Sequence, residues 1–307
     1  MARLQSEGIL RPIAPFDFDQ SLDFLATFPP MHGEQVLSEH TLTRAAWASQ
    51  IPVAFRLWST GTVEEPELRF EFHANDTLSE ADEAALLRRI TVYLSLEDDL
   101  GRLYELIDSD PPFVGVRQEL YGYHQVKFLT PFENTCWTIL SQRNLLAVAQ
   151  RMKRVLIKEF SAGVEVDGMT YWPFPGAKAV VQAGLEDLTR LLRNSRRAEY
   201  VHGASVAFSQ VDDKFLREGP YEEVFEWLCG IPGVGKWSAA LIMIRSLGRM
   251  ERIPYGDRSL CRIAGHVYGR SEPLSAVELQ GLADHYGALQ GYWAHYLRAM
   301  GRLVLTP

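Results

Sequence analysis

The stretch "LCGIPGVGKWSAALI", residues 228–242, restricts what this chain can fold into more than any other. From Gly230 to Lys236 it spells the start of a phosphate-binding loop, G-x-x-x-x-G-K. Position 237, however, is Trp, where such a loop needs a Ser or Thr hydroxyl for Mg²⁺. A loop of that kind also follows a buried strand. Here the preceding "GPYEEVFEWLCG" opens with Gly219 and Pro220, sets Glu222 and Glu223 in a first turn, and spaces Val224, Phe225, Trp227 and Leu228 along one helical face. Gly230 is expected to close that helix in the left-handed conformation. The Ala-, Leu-, Ile- and Met-rich run after Gly235 predicts a second helix. The pattern is helix, "IPGVG" turn, helix. Gly233 and Gly235 let the backbone approach a phosphate closely, and the amides opening the second helix point outward as donors. Such a grip ignores base sequence and suits a nucleic-acid backbone. An ordinary helix–helix turn is the other reading of the same residues.

A net charge of −8 argues against nucleic acid until its distribution is considered. Residues 1–115 hold 8 of the 31 basic and 20 of the 39 acidic side chains, so the remainder is positive by 4. The basic residues concentrate in "RNLLAVAQRMKRVLIK" (143–158) and "RLLRNSRR" (190–197). Local field matters more than total charge for phosphate binding, although solvated helix faces give the same composition. No apolar run reaches the roughly 18 residues of a membrane span, so no membrane partner is expected. The start "MARLQSEGILRPIAPF" lacks the apolar core of a secretory signal. Cys136, Cys229 and Cys261 are too few for a four-cysteine metal site and read as buried thiols. These features predict a cytoplasmic protein.

The chain is long enough for two or three packed units. "PVAFRLWST" and "ELRFEFHA", separated by the turn "GTVEEPE", are β-rich, and "SEADEAALLRRITVYL" is a helix with Ser79 as N-cap. Helices dominate from about residue 96, beginning with "SLEDDLGRLYELID" and its acidic first turn. The fold class is α+β: a small antiparallel sheet domain over 1–115, then a helical, two-lobed body over 116–307 that carries the hairpin at about 221–247.

The hairpin together with "PYGDRSL" (254–260) resembles the helix–hairpin–helix DNA glycosylase superfamily, in which an aspartate follows the start of the second helix by about twenty residues. Asp257 matches it, counted from Trp237. "PFENTCWTILSQRN" (131–144), "NSRRAEYV" (194–201), "APFDFDQSLDFL" (14–25) and "GYWAHYLRAM" (291–300) spread the resemblance over most of the chain, nearest to the 3-methyladenine DNA glycosylase II type.

The resemblance implies excision of damaged bases from double-stranded DNA by a monomer. Bifunctional members carry a lysine nucleophile where this chain has Trp237; Lys236 lies one residue early, about 100° around the helix. A monofunctional alkylpurine glycosylase using water is therefore implied. A bifunctional oxidised-purine glycosylase acting through Lys236, or a non-catalytic damage-binding module, are the alternatives. Asp257 would stabilise the cationic sugar and orient water, and it also reads as the N-cap of "RSLCRIAGHV".

Trp237 and Trp293 match pocket tryptophans that would attract a cationic alkylpurine by about 0.5–2 kcal/mol. Phe24 matches a pocket aromatic and Tyr296 sits one turn from Trp293, but these two read equally well as core. Leu241 stands where near relatives often carry an aromatic. Gln142 and Arg143 match the probe that enters the groove, Arg143 replacing an apolar wedge; a polar turn capped by Asn144 is the other reading. Gly233, Gly235 and Lys236 would hold the DNA backbone. No cofactor is required by this reading, which leaves room for a monovalent cation, Na⁺ or K⁺, on hairpin carbonyls.

Overall fold

A computed structural model describes residues 2–304, the last three as backbone only. Strand β1 (Arg3–Leu10) leads into helix α1 (Phe18–Thr27), whose N-cap Asp17 accepts the amides of Asp19 and Gln20. Strands β2 (Gln35–Ser38), β3 (Thr41–Ala48), β4 (Ile51–Ser59) and β5 (Leu68–Ala74) follow as a meander. β1 returns to pair with β5, giving the antiparallel order β1-β5-β4-β3-β2. The alternation in β5 buries Leu68, Phe70, Phe72 and Ala74 on one face, with the rings of Phe70 and Phe72 4.6 Å apart. Helix α2 (Glu80–Leu94) starts at the expected Ser79, which forms a reciprocal capping box with Asp82.

The helical body contains α3 (Gly101–Asp108), α4 (Pro111–Glu119), α5 (Pro131–Ser141), α6 (Leu146–Phe160), the short hairpin β6 (Val164–Val166) and β7 (Met169–Tyr171), and α7 (Ala177–Leu192), broken at Gly184. It continues with α8 (Ser195–Gln210), α9 (Asp213–Glu218), α10 (Tyr221–Cys229), α11 (Lys236–Ile242), α12 (Arg258–Val267), α13 (Ala276–Asp284) and α14 (Gln290–Val304). The α+β architecture is the one the sequence predicts. The acids expected in the first turn of α3 instead precede it, where Asp99 accepts the Gly101 amide at 2.8 Å. Residue 115, the expected boundary, falls inside α4, and one apolar cluster runs from Phe16 beside the sheet to Leu297 on α14. Cys136 and Cys261 are buried and Cys229 is half-buried. Among the described residues no helix is long and apolar enough to cross a membrane.

A buried ionic knot joins sheet and helices. Arg44 on β3 binds Glu133 on α5 at 2.8 Å and Glu34 at 3.3 Å, while Lys153 on α6 binds the same two acids at 2.8 and 2.7 Å. Burial alone would push the Glu133 carboxyl up, but the two cations outweigh it and hold its pKa below the ordinary value. Two positive and two negative groups cancel, so the knot is tolerated in the interior only while complete. Lys153, counted above in a basic cluster, is therefore an interior residue, 1% exposed. The knot fixes α5 and α6 against the sheet, and the loop between those helices carries the groove described next.

Candidate active site

The hairpin forms as predicted, with one correction. Gly230 continues α10 in the right-handed region (φ −71°, ψ −16°), because its amide still reaches back to Glu226 and Trp227. The left-handed residue is Gly233 (φ +87°), where a Cβ would lie 2.5 Å from Cδ2 of Tyr200. Gly235 then serves as N-cap of α11, with Lys236 exposed at its first position.

Gln142 does not project as a groove probe: its Nε2 donates to the Gly233 carbonyl at 2.6 Å, so it pins the hairpin to the end of α5. Arg197 donates to the Gln142 carbonyl at 2.7 Å and secures that link. Asn144 does not cap α6 either; its amide donates to the Leu140 carbonyl at 2.9 Å, satisfying the C-terminus of α5. Arg143 is exposed and takes a left-handed backbone (φ +48°), uncommon for a side chain of this size. Sequence reading missed Leu145, a bare apolar side chain 78% exposed two residues later.

A groove of about 560 Å³ gathers Gln142, Arg143, Asn194, Arg196, Arg197, Tyr200 and Gly233. Asn194 caps α8 by accepting the Arg197 amide at 3.0 Å, and Arg196 packs over the Tyr200 ring while donating to its hydroxyl at 2.8 Å. The fold thus joins one end of each basic cluster to the glycine turn, and three guanidinium groups share one trough. That arrangement suits a chain of phosphates.

Asp257 lies at the start of α12 and is 5% exposed. It is the predicted N-cap: Oδ1 accepts the Leu260 amide at 2.9 Å. Oδ2 accepts two further donors, the Trp237 indole N–H at 2.8 Å and the Arg298 guanidinium at 2.7 Å. Burial pushes its carboxyl up, yet the Arg298 charge and the hydrogen bonds outweigh burial, so its pKa sits below the ordinary aspartate value. The group is therefore an anchored, ionised carboxylate gripped by the hairpin helix on one side and the C-terminal helix on the other. Of its roughly four acceptor positions three are occupied, which leaves one on Oδ1. Sequence reading missed Arg298. Its one signal is a charge ending the otherwise buried run Tyr292–Leu297.

The aromatic residues divide. Trp237 is 47% exposed beside Asp257 and offers an indole face to solvent. Trp293 is a correction: it is fully buried, stacked on Tyr286 at 5.6 Å and donating to the Tyr268 hydroxyl at 3.2 Å. Tyr296 is also core, its hydroxyl 3.3 Å from that of Tyr104 and donating to the Tyr123 carbonyl at 3.0 Å. In both cases the side chain turns toward α3 and α4, because α14 is enclosed on more than one side. Phe24 is buried at 7% exposure against Phe28, Tyr123 and His295. Leu241 is half-buried on α11, one turn past Trp237.

No protein-family model matches the chain. A DNA-3-methyladenine glycosylase of Bacillus subtilis is 25% identical over 214 residues, 69% of this chain and 71% of that protein. Among solved structures, a 3-methyladenine DNA glycosylase from Archaeoglobus fulgidus superposes with a TM-score of 0.81 at 22% identity, covering 97% of this chain and 99% of the other. An 8-oxoguanine glycosylase/lyase of Clostridium acetobutylicum, in complex with double-stranded DNA, gives 0.69 at 17% identity over 100% and 99%.

Proposed function

We propose that this chain, a helix–hairpin–helix DNA glycosylase by fold and by sequence relationship, is a monofunctional enzyme that releases alkylated purines of the 3-methyladenine and 7-methylguanine type from double-stranded DNA. The observation that carries this reading is Asp257: buried, ionised, and held by the helix of the glycine hairpin. The guanidinium groups of Arg143, Arg196 and Arg197, with the hairpin amides, would clamp the strand backbone. Leu145 and Arg143 would fill the gap left by the extruded nucleotide, and unstacking it costs a few kcal/mol.

The chemistry then follows from charge. The C1′–N bond breaks and its electron pair leaves with the base, whose alkyl-derived positive charge it neutralises. The sugar becomes oxocarbenium-like, and the Asp257 carboxylate stabilises it through space. Water hydrogen-bonded at the remaining Oδ1 position adds its oxygen to C1′, and its proton passes to the carboxylate and then to solvent. The products are free base and an abasic strand. Lys236, exposed on the hairpin, serves the backbone clamp in this scheme. A Na⁺ or K⁺ would sit on turn carbonyls; that of Val234 accepts no hydrogen bond among the described residues, and no chemical step runs through the ion. The protein acts as a monomer in the cytoplasm.

The test is incubation with duplexes carrying methylated purine or 8-oxoguanine. Release of methylated base with the strand intact supports the proposal. A borohydride-trapped covalent adduct would support lyase chemistry instead, and binding without release would reduce the chain to a damage-binding module.

A further inference from the structure

A second trough, of about 160 Å³, lies at the far end of α6 from the α5–α6 loop. It shares no residue with the arginine groove, and the rise along α6 from Leu145 to Lys158 is about 20 Å. Its walls are the start of β2, the last turns of α6, and β7 with Trp172. Val36, Ile157, Met169, Tyr171 and Trp172 give it an apolar lining, and Met169 is 49% exposed.

The charge on the rim has one sign. Arg154 and Lys158 are exposed there, and neither meets a carboxylate among the described residues. Lys158 Nζ rests 3.6 Å from the centre of the Trp172 ring, a contact that positions the cation without neutralising it. Glu34, the acid on the opposite wall, is already taken by Arg44 and Lys153.

The backbone around the trough is also open. Both bordering strands are edges, since β2 pairs only with β3 and β7 only with β6. Asp167 and Gly168, which join β6 to β7, are both left-handed (φ +51° and +75°). In a two-residue hairpin of this kind the flanking pair, Val166 and Met169, exchanges both hydrogen bonds. The next pair, Glu165 and Thr170, therefore turns its N–H and C=O groups outward. Thr170 lines the trough, and no backbone hydrogen bond crosses it among the described residues.

We propose that this trough docks an extended acidic segment of another protein, one that alternates Asp or Glu with apolar residues and adds to β7 as a third strand. Arg154 and Lys158 stand one turn apart, about 6 Å along α6. Alternate residues of an extended chain are about 6.6–6.8 Å apart, so two acids flanking one apolar residue meet both cations. The apolar residue between them is left to the lining, and the segment's backbone takes the open edge at Thr170. A nucleic-acid strand would satisfy the cations but neither the strand edge nor the apolar wall. The distance from the arginine groove leaves DNA and the docked protein room to be held together.

The experiment titrates the full chain into a fluorescein-labelled peptide, Gly-Asp-Leu-Asp-Leu-Asp-Gly, and follows anisotropy, with Gly-Lys-Leu-Lys-Leu-Lys-Gly as the charge-reversed control. Saturable binding of the acidic peptide alone is expected, weakened at least about 10-fold when Arg154→Glu and Lys158→Glu are combined. Replacing both by Gln gives a smaller loss in the same direction and serves if the charge-reversed variant does not fold. Thr170→Pro removes the outward amide, which β6 does not use, and keeps both cations; it is expected to weaken binding by about 3- to 10-fold with unchanged thermal unfolding. No binding by the wild type, equal binding of the two peptides, or no loss in the charge variants overturns the proposal, and undiminished binding by Thr170→Pro overturns the strand addition. Displacement of the peptide by an undamaged duplex, or an equal loss of DNA affinity in the charge variants, assigns the trough to nucleic acid and also overturns it. None of these outcomes bears on Asp257 or on base release.

Discussion

Replacing Arg298 by Met removes one charge from Asp257 while keeping most of the side-chain volume. The guanidinium approaches Oδ2 at 2.7 Å, and the pair is mostly shielded, with side-chain exposures of 28% and 4%. Unit charges about 4 Å apart attract by about 4 kcal/mol at an effective dielectric of about 20. Partial solvation of the arginine and the two donors that remain cut this to about 2 kcal/mol. The direction follows from burial, which alone raises the Asp257 pKa and which Arg298 opposes. In the wild type the folded pKa is depressed, so the carboxylate's contribution is present above the unfolded value and lost only as pH falls through the lower folded one. The proposed mechanism uses the ionised form, so the wild-type acid limb is expected below the ordinary aspartate range. In Arg298→Met that limb moves upward, and release at pH 5 falls relative to release at pH 8. Single-turnover release from a methylated duplex across pH 5–9, corrected for spontaneous depurination, measures it. Superimposable wild-type and variant profiles would refute the reasoning, since Arg298 would then not be setting the ionisation of Asp257.

Removing Arg143 and Arg196 together should weaken binding to every DNA sequence alike and reduce the slope of log affinity against log salt by about 2, read by fluorescence anisotropy over a salt series. Gly233→Ala forces a side chain into a left-handed backbone and against Tyr200; calorimetry should show a loss of at least about 1–2 kcal/mol, with weaker DNA binding. Arg44→Ala leaves Glu34 and Glu133 buried with one cation between them. Denaturant titration should give a loss of about 3–5 kcal/mol.

The elements most legible in the sequence are those governed by local rules. Ser79 with Asp82, Asp257 ahead of α12, and the alternation in β5 each depend on neighbours within a few residues, and each forms where expected. The glycine turn was readable as a turn, but with glycines at 230, 233 and 235 the position of the reversal depended on Tyr200, which packs from a distant helix. The aromatic pocket was the least legible part. Tyr292 to Leu297 are six consecutive buried residues, so no periodicity marks which side of α14 faces a ligand, and Trp293 and Tyr296 turned toward the core. Gln142 reads from sequence as a polar loop residue; its partner, the Gly233 carbonyl, is 91 positions away. Arg298 carries one weak signal, a charge ending an apolar run, and only the fold shows that it flanks the Asp257 carboxylate.

The most direct measurement compares Asp257→Asn with wild type on one methylated duplex, recording both affinity and single-turnover base release. Asparagine preserves the shape and the cap of α12 but removes the carboxylate charge to which the proposed mechanism assigns catalysis. The expected result is affinity within a few-fold of wild type and release slowed by at least about 100-fold. Undiminished release by the variant would contradict the catalytic assignment of Asp257 outright.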